Sequence, residues 1–296
     1  MEVAASRELG EGSVDTLAVR EALSVIDEAD GVLVFGTLAY SDGWLMKLSQ
    51  ASRSRKIPIA YWSTDDPYEF DLNYRNQSLF DWIWTTDQAS VTFYDSPRVE
   101  HLPLAADPET HLRSFPSEAD YLYDVSFIGV EFPVRREIIM NLAPTLRTLK
   151  TAIIGPDWSI TAGFIQRRRV TNLEAAVISN LSRVVLSLGR GEYNFFNSSG
   201  MISSTPGPRL FEVGAAGTVQ IATWYQPEAE EYYAVGEEIV FAEDMADMRS
   251  KLLTCVADQG LRRKTAELAS RRTRRDHLYS SRLTRVLQRL ELLHKR

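Results

Sequence analysis

Short apolar runs alternate with longer segments of helical periodicity along most of the chain. Each apolar run predicts a buried β-strand, and the predicted strands are 31–36, 57–62, 82–86, 99–102, 125–129, 151–155, 184–188, 219–223 and 237–241. The predicted helices are 44–53, 134–142, 173–181, 210–216 and a helical segment from 244 to the C-terminus. This alternation favours βα units and therefore an α/β fold with parallel sheets.

A break in this pattern divides the chain into two predicted α/β domains. The stretch 102–108 carries two closely spaced prolines after a strand, and the pattern restarts beyond it. We therefore expect one domain over 1–108 and a second over 109–275. A C-terminal helix over 276–296 is expected to cross back to the N-terminal domain.

The N-terminal domain is expected to be shortened. Residues 1–18 hold no apolar strand, and the first convincing strand begins at Gly31. We expect the first ~20 residues to be flexible. An incomplete sheet has an open edge, which invites pairing with another chain, so the sequence also predicts a homodimer.

Composition acts mainly by excluding classes of protein. A chain with 44% hydrophobic and 25% charged residues is globular rather than fibrous or disordered. Its one cysteine, Cys255, excludes a disulfide framework and a multi-cysteine zinc site. No run reaches the ~18–20 apolar residues of a membrane span, and the acidic N-terminal stretch MEVAASRELGEGSVD does not resemble a secretory signal. We therefore expect a cytoplasmic protein with no membrane span.

The charge is unevenly distributed. Residues 261–296 carry 12 basic and 3 acidic side chains, whereas the other 260 residues carry 21 and 37. A basic segment of this kind is either a solvated helical face or a patch for an anionic partner. We expect the solvated face, and the formal net charge of −7 argues against a nucleic-acid partner.

One predicted strand ends abruptly in two carboxylates. The stretch Ile57–Tyr68 reads IPIAYWSTDDPY, so Asp65 and Asp66 follow the apolar run directly. In open α/β sheets ligands bind beyond the carboxyl ends of the strands, which makes the pair candidate site residues. If both carboxylates face one cleft, like-charge repulsion should raise one pKa. The alternative is a helix N-cap with Pro67 at the first helical position.

Several short motifs together resemble the CgeB-like, spore-maturation type of GT-B glycosyltransferase, with a "glycosyl transferases group 1" C-terminal domain. They match the family in order and spacing from about residue 30 onward. The motifs are Tyr61–Pro67, Trp84–Asp87, Leu102–Pro108, Asp124–Gly129 with Arg135–Glu137, Ile153–Trp158, Asn172–Ala176, Arg209–Gly217, Gly236–Val240 and His277–Tyr279 with Arg282.

The resemblance implies two facing Rossmann-like domains with a cleft between them. It implies that a nucleotide-diphosphate sugar binds mainly to the C-terminal domain, and that an acceptor approaches from the N-terminal domain. It also implies that the reaction needs no bound metal ion and no cofactor beyond the nucleotide sugar as co-substrate. We therefore expect a metal-independent glycosyltransferase whose acceptor is unidentified.

The same resemblance assigns donor-binding residues. A diphosphate needs backbone N–H groups, a helix N-terminus or a guanidinium, and the family's pattern supplies Gly129 with Arg135 or Arg136. Arg209 and Glu212 open a helix, where the resemblance makes the glutamate the partner of the ribose hydroxyls. The alternatives are solvent-exposed arginines and a glutamate favoured only by the helix dipole.

Further positions match loops that contact the base. The resemblance places Gly155, Trp158 and Arg169 there, although Trp158 could instead cover the core edge. The small-residue loop 197–208 could wrap phosphate or be a mobile surface loop. Many relatives carry a second glutamate before the ribose one, and here 203–205 reads Ser-Ser-Thr.

Transfer of a sugar requires a group that takes the acceptor's proton. Asp65 or Asp66 is the expected catalytic residue, and Asp87 and His101 are lesser candidates. Two other hypotheses stay open: a non-catalytic sugar-nucleotide-binding protein of the same fold, and a nucleic-acid-directed enzyme whose basic C-terminal segment grips phosphates.

Overall fold

The computed structural model describes residues 19–38, 43–191 and 196–294. These residues form two compact units. The N-terminal unit comprises the described residues within Met1–Leu104, Asn194–Ser203 and Tyr279–Arg296, and the C-terminal unit those within Ala105–Tyr193 and Ser204–Leu278. The predicted domain bounds at 108 and 275 stay a prediction.

Helices and strands alternate through both units. The helices are α1 (Val19–Val25), α2 (Trp44–Arg55), α3 (Phe70–Asn76), α4 (Pro108–His111), α5 (Pro133–Leu146), α6 (Asn172–Asn180), α7 (Arg209–Ala216), α8 (Ala229–Tyr232), α9 (Met245–Ala257), α10 (Gln259–Asp276) and α11 (Tyr279–His294). The strands are β1 (Val32–Gly36), β2 (Ile59–Ser63), β3 (Trp82–Thr85), β4 (Val99–His101), β5 (Tyr123–Ile128), β6 (Thr151–Ile154), β7 (Ile165–Gln166), β8 (Ser182–Ser187), β9 (Val219–Thr223) and β10 (Val240–Ala242).

Each unit is built on one parallel sheet. The N-terminal unit has the strand order β1-β2-β3-β4, and the C-terminal unit has β10-β9-β8-β5-β6-β7. Central strands such as β2 and β9 are buried along their whole length, as expected for parallel strands covered on both faces. The prediction of an α/β protein with two parallel-sheet, Rossmann-like units is therefore confirmed.

Helix α11 completes the core of the N-terminal unit. Its apolar side chains Val286 and Leu290 pack with Trp62 and Trp84, the two tryptophans of neighbouring strands. Arg282, near the start of the helix, is 8% exposed and donates from Nε to the carbonyl oxygen of Pro103 at 3.1 Å. This helix therefore stabilises the sheet that carries the N-terminal unit's candidate residues.

The core of the C-terminal unit lies between β5, β8 and β9 and the helices α5 and α9. Its fully buried aliphatic side chains come from the apolar runs predicted as strands and from the predicted helices that cover them. They include Val125, Ile139, Leu142, Ile153, Val184, Leu186, Val219, Ile221 and Leu252.

The basic C-terminal segment is less solvated than predicted. Arg262 is 3% exposed and donates to the carbonyl oxygen of Cys255 at 2.9 Å and to Oε1 of Glu118 at 2.6 Å. Arg289 donates to Oε1 of Glu100 at 2.6 Å. For Arg262, and for Arg282 described above, the expectation of a solvated face is wrong, because their guanidinium groups satisfy buried carbonyl oxygens.

Other details also differ from the sequence-based expectations. The last helical segment is three helices, and Asp258 separates the first two by accepting a hydrogen bond from the Leu261 amide at 2.9 Å. The predicted strand 237–241 begins only at Val240, after a turn in which Gly236 has a φ of 82°. The expectations about residues 1–18 lie outside the described residues. No helix in the described ranges is long and apolar enough to cross a membrane.

Candidate functional site

Two strand ends in the C-terminal unit approach each other closely at glycines. A Cβ atom added to Gly155, after β6, would lie 2.0 Å from the carbonyl oxygen of Gly129, after β5. The Gly129 amide donates to the Ile154 carbonyl at 2.9 Å, and the Gly155 amide donates to the Gln166 carbonyl at 3.1 Å. Only glycine fits at 155, so backbone rather than side chains forms this part of the sheet edge.

Trp158 stabilises the contact between the two strand ends. Its indole Nε1 donates to the Gly129 carbonyl at 3.0 Å, and its ring meets the Phe127 ring edge-on at 6.1 Å between centroids. The side chain is 1% exposed. Of the two roles open for Trp158, this burial favours covering the core over stacking on a base.

Arg135 lies in the first turn of α5 and connects two strand-end loops. Its guanidinium donates from Nε and Nη2 to the Leu188 carbonyl at 3.2 and 3.1 Å, and from Nη1 to the Val130 carbonyl at 3.1 Å. The same group lies over the Phe127 and Phe132 rings, at 5.3 and 4.9 Å from the centroids. Arg135 thus holds positive charge at the carboxyl edge of the sheet while supporting the loops after β5 and β8.

Two other predicted arginines are more accessible. Arg136 is exposed on α5, next to Arg135, and Arg169 is exposed in the loop between β7 and α6.

Helix α5 begins with Pro133 at its first position, and the side chain of the preceding Phe132 makes no capping hydrogen bond. The first amides of α5 therefore receive no cap from that side chain, and they lie just after Gly129 in the chain.

Helix α7 positions the candidate ribose partner. Leu210, Phe211 and Val213 are fully buried and anchor the helix. Glu212 is not part of this buried face. Its side chain is 13% exposed, and its Oε2 pairs with Arg209 Nη1 at 2.8 Å. A carboxylate in the first turn is favoured by the helix dipole, and here an arginine one turn back also fixes it.

A histidine that the sequence did not single out lies against this carboxylate. His111, at the end of α4, is 3% exposed, and its Nε2 is 3.8 Å from Oε1 of Glu212. Burial lowers its pKa, and the nearby carboxylate of Glu212 partly opposes that shift. No local motif predicts this contact, because it joins positions far apart in the sequence. The sequence signal nearby is Asp107-Pro108, which predicts the short helix that carries His111 but not its partner.

In the N-terminal unit, Asp66 is a buried, hydrogen-bonded residue. It is 4% exposed, and its two oxygens accept from Asn73 Nδ2 at 2.7 Å and from Tyr94 OH at 2.9 Å. Its pKa is raised, chiefly because burial disfavours the charged form, while the hydrogen bond from Asn73 acts in the opposite direction. The predicted direction is therefore found, but burial is the main cause rather than repulsion from Asp65.

The N-cap interpretation of this stretch is wrong. Helix α3 begins at Phe70, its N-cap residue is Glu69, and Pro67 lies in the preceding turn. Asp65 is only half-buried at the same turn, so it is the more accessible carboxylate of the pair.

The lesser candidates occupy different environments. Asp87 is 1% exposed, and its carboxylate accepts from the Ser90 amide at 3.2 Å and from Ser203 Oγ at 2.9 Å. His101 is half-buried at the end of β4. The geometry of Asp87 indicates a structural role in holding the segment that ends at Ser203.

That segment is docked on the N-terminal unit. The Phe196 amide donates to the Tyr68 carbonyl at 2.8 Å, Ser198 donates from its amide and Oγ to Asp71 at 2.9 Å, and Met201 is buried in the core. This arrangement disfavours a freely mobile loop for the described residues 196–203.

The described residues contain no group of three or more His, Cys, Asp or Glu side chains that could hold a metal ion. Metal independence of the expected reaction stays a prediction, since it concerns the reaction and not the residues alone.

Comparisons with known proteins identify the fold. The chain is similar to Anabaena Alr3699/HepE in complex with UDP and glucose, with a TM-score of 0.64 and 15% identity, over 92% of this chain and 80% of that one. It is also similar to AviGT4, a glycosyltransferase involved in avilamycin A biosynthesis, with a TM-score of 0.61 and 14% identity, over 94% of this chain and 78% of that one.

Sequence comparisons give a partial relative and a family. The spore protein CgeB of Bacillus subtilis strain 168 is 23% identical over 108 residues, which are 36% of this chain and 33% of that protein. The match thus spans about a third of that relative's length. A family described as "Glycosyl transferase-like" matches residues 135–288, more than half of the chain. The chain is therefore a member of the glycosyl transferase-like family.

Proposed function

We propose that this protein is a glycosyltransferase that moves a sugar from a nucleotide-diphosphate sugar to an acceptor, and that its C-terminal unit holds the donor. The observation that carries this proposal is the Glu212 carboxylate, held at 2.8 Å by Arg209 in the first turn of α7. Family membership and a fold shared with HepE, whose structures contain UDP, glucose or UDP-glucose, support it.

The ribose is the part of the donor that this carboxylate suits. Two vicinal hydroxyl groups can both donate to one carboxylate, which accepts through four lone-pair sites. Glu212 pairs with Arg209 through Oε2, and its Oε1 lies 3.8 Å from Nε2 of His111. The arrangement leaves acceptor capacity that a nucleotide could use.

The diphosphate would be held at the start of α5. This helix has 14 residues, enough for a substantial dipole, and its first amides follow Gly129. Arg135 places a guanidinium at the same edge of the sheet, and Arg136 adds an exposed one. Gly129 and Gly155 keep side chains out of the edge, so a phosphate could approach the backbone.

The catalytic residue is expected in the N-terminal unit. The acceptor hydroxyl must lose a proton as it attacks, and a carboxylate can take that proton. Asp66 is buried with both oxygens hydrogen-bonded, so we propose that it anchors the turn, and that the more accessible Asp65 orients or deprotonates the acceptor. We further propose that the enzyme is of the CgeB-like type, that it transfers the sugar without a metal ion and that it works in the cytoplasm.

A ligand screen followed by a turnover assay tests the function. The full chain is heated with UDP, GDP, dTDP and their sugars, because a ligand that binds only the folded state raises the melting temperature. Donor hydrolysis and transfer are then measured with the sugar nucleotide that binds, with and without EDTA. Binding without turnover on any acceptor would favour the non-catalytic alternative.

Glu212→Gln is the matched probe of the donor site. It should lower the affinity for the nucleotide by roughly tenfold or more, because a charged acceptor of two hydrogen bonds becomes a neutral one. The control is Glu230→Gln, which changes an exposed glutamate on α8 of the same unit. Equal nucleotide affinity of the two variants by calorimetry would refute the ribose assignment.

A further inference from the structure

The imidazole of His111 is a buried polar group with one unsatisfied nitrogen. His111 is 3% exposed, and within the described part of the chain its Nε2 has no hydrogen-bond partner. Buried polar atoms without a partner are uncommon in folded proteins and call for an explanation. Packing of α4 against α7 directs this nitrogen toward the first turn of α7.

The contacts of the other ring nitrogen allow either tautomer, and the carboxylate of Glu212 favours one of them. Nδ1 of His111 lies 3.0 Å from the Asp107 amide and 3.1 Å from the Asp107 carbonyl oxygen, so it can accept from the first or donate to the second. Burial lowers the pKa of His111 and thereby favours the neutral ring, which carries a single proton. A carboxylate oxygen offers only lone pairs, so the tautomer with its proton on Nε2 is the one that suits Glu212.

Glu212 offers a matching acceptor at slightly too great a distance. Its Oε1 lies 3.8 Å from Nε2, while Oε2 is paired with Arg209 at 2.8 Å. A movement of Oε1 by less than about 1 Å would bring the two atoms within hydrogen-bond range. The charged and titratable groups around His111 are Glu212 and Arg209 on α7 and Asp107 beside its own helix.

We propose that His111 is a positioning residue for the ribose-binding carboxylate: its Nε2–H donates to Oε1 of Glu212 when a nucleotide engages that carboxylate. A neutral donor fixes the plane of the carboxylate without neutralising its charge, so the remaining lone pairs stay strong acceptors for the ribose hydroxyls. This inference rests on the proposed function, since it needs Glu212 to contact the ribose.

Calorimetry on the full chain tests the inference with UDP and 2′,3′-dideoxy-UDP, and with the corresponding GDP and ADP pairs. His111→Phe keeps an aromatic ring, a somewhat larger one, but removes both nitrogens. This variant should bind UDP about tenfold more weakly. Its affinity for the dideoxy analogue should fall by less than about twofold, because only the contacts of the ribose hydroxyls depend on Glu212. His111→Gln should recover most of the affinity, since its amide can place a donor near the Nε2 position. His294→Gln, on an exposed histidine at the end of α11, is the control and should change neither value.

A double variant tests whether His111 acts through Glu212, and a melting experiment tests whether each variant folds. If His111 acts through Glu212, adding His111→Phe to Glu212→Gln should cause little further loss of UDP affinity. Circular dichroism melting identifies variants that do not fold. If His111→Phe is one of them, His111→Ala, which also removes both ring nitrogens, carries the test.

The outcomes separate the inference from the proposed function. In the folded variant that lacks the ring nitrogens, equal losses of affinity for UDP and dideoxy-UDP, or no loss for either, would overturn the role of His111 and leave the donor site intact. If the unmodified chain binds none of UDP, GDP and ADP, the proposed function fails, and this inference fails with it.

Discussion

Gly155→Ala should sharply destabilise the edge of the C-terminal sheet. The added Cβ would lie 2.0 Å from the Gly129 carbonyl oxygen and 2.9 Å from Trp158 Nε1, whereas ordinary contacts begin at 3.4 Å. The two strand ends must therefore separate by about 1.4 Å. A flexible side chain could move aside, but the nearest atom belongs to the backbone.

The magnitude follows from the bonds that such a movement stretches. The three bonds involved are Gly129 N–H to Ile154 O at 2.9 Å, Gly155 N–H to Gln166 O at 3.1 Å and Trp158 Nε1–H to Gly129 O at 3.0 Å. Losing two of them at about 1 kcal/mol each, with roughly 1–3 kcal/mol of packing strain, gives about 3–5 kcal/mol.

Hydrogen exchange followed by mass spectrometry measures this loss locally, without assuming that the two units unfold together. Amides of β5 and β6 should exchange at least about a hundredfold faster in Gly155→Ala, since each 1.4 kcal/mol is a factor of ten. Gly163→Ala is the control, because no atom beyond its own residue and its two chain neighbours lies within 4 Å of its added Cβ. Similar exchange in the two variants would refute the reasoning about the strand ends.

Three further predictions concern buried charge and catalysis. Burial raises the folded-state pKa of Asp66, so its stabilising contribution is present at low pH and is lost as pH rises through that pKa. The melting temperature of Asp66→Asn should therefore fall further below that of the unmodified chain at about pH 4, near the ordinary pKa of an aspartate, than at neutral pH, and the opposite trend would contradict the burial argument. Asp65→Asn should leave nucleotide affinity within about twofold but lower transfer by about 10²-fold or more; full turnover in this variant would remove Asp65 from the mechanism. Arg262→Met should cost about 2–3 kcal/mol in urea unfolding because the partner oxygens of Arg262 are left unpaired, whereas Arg271→Met, on the exposed face of the same helix, should stay within about 0.5 kcal/mol.

The sheets were largely predictable because parallel strands buried on both faces appear as continuous apolar runs. The strand predicted at 151–155 is β6, Thr151–Ile154, with Gly155 just beyond it. Strand β7 has only two residues and no apolar run of its own, so no periodicity could reveal it. Helix α3 follows the Asp-Asp-Pro stretch at a distance, because residues 66–69 form a turn first.

The candidate site was predictable only where a local motif carries it. Glu212 lies within a recognisable helix-opening motif, and its pairing with Arg209 three residues earlier follows from helical spacing. The contact of Glu212 with His111 depends on the packing of two helices that are distant in sequence. Likewise, Tyr94 and Asn73 bury Asp66 from positions that no spacing rule connects to it.

A crystal structure of the full chain with bound nucleotide, UDP or whichever nucleotide the thermal screen selects, tests the central claim most directly. The account predicts ribose hydroxyl oxygens within about 3.2 Å of the Glu212 carboxylate and a diphosphate at the first amides of α5. A nucleotide bound away from α7, with Glu212 still paired only to Arg209, would contradict it.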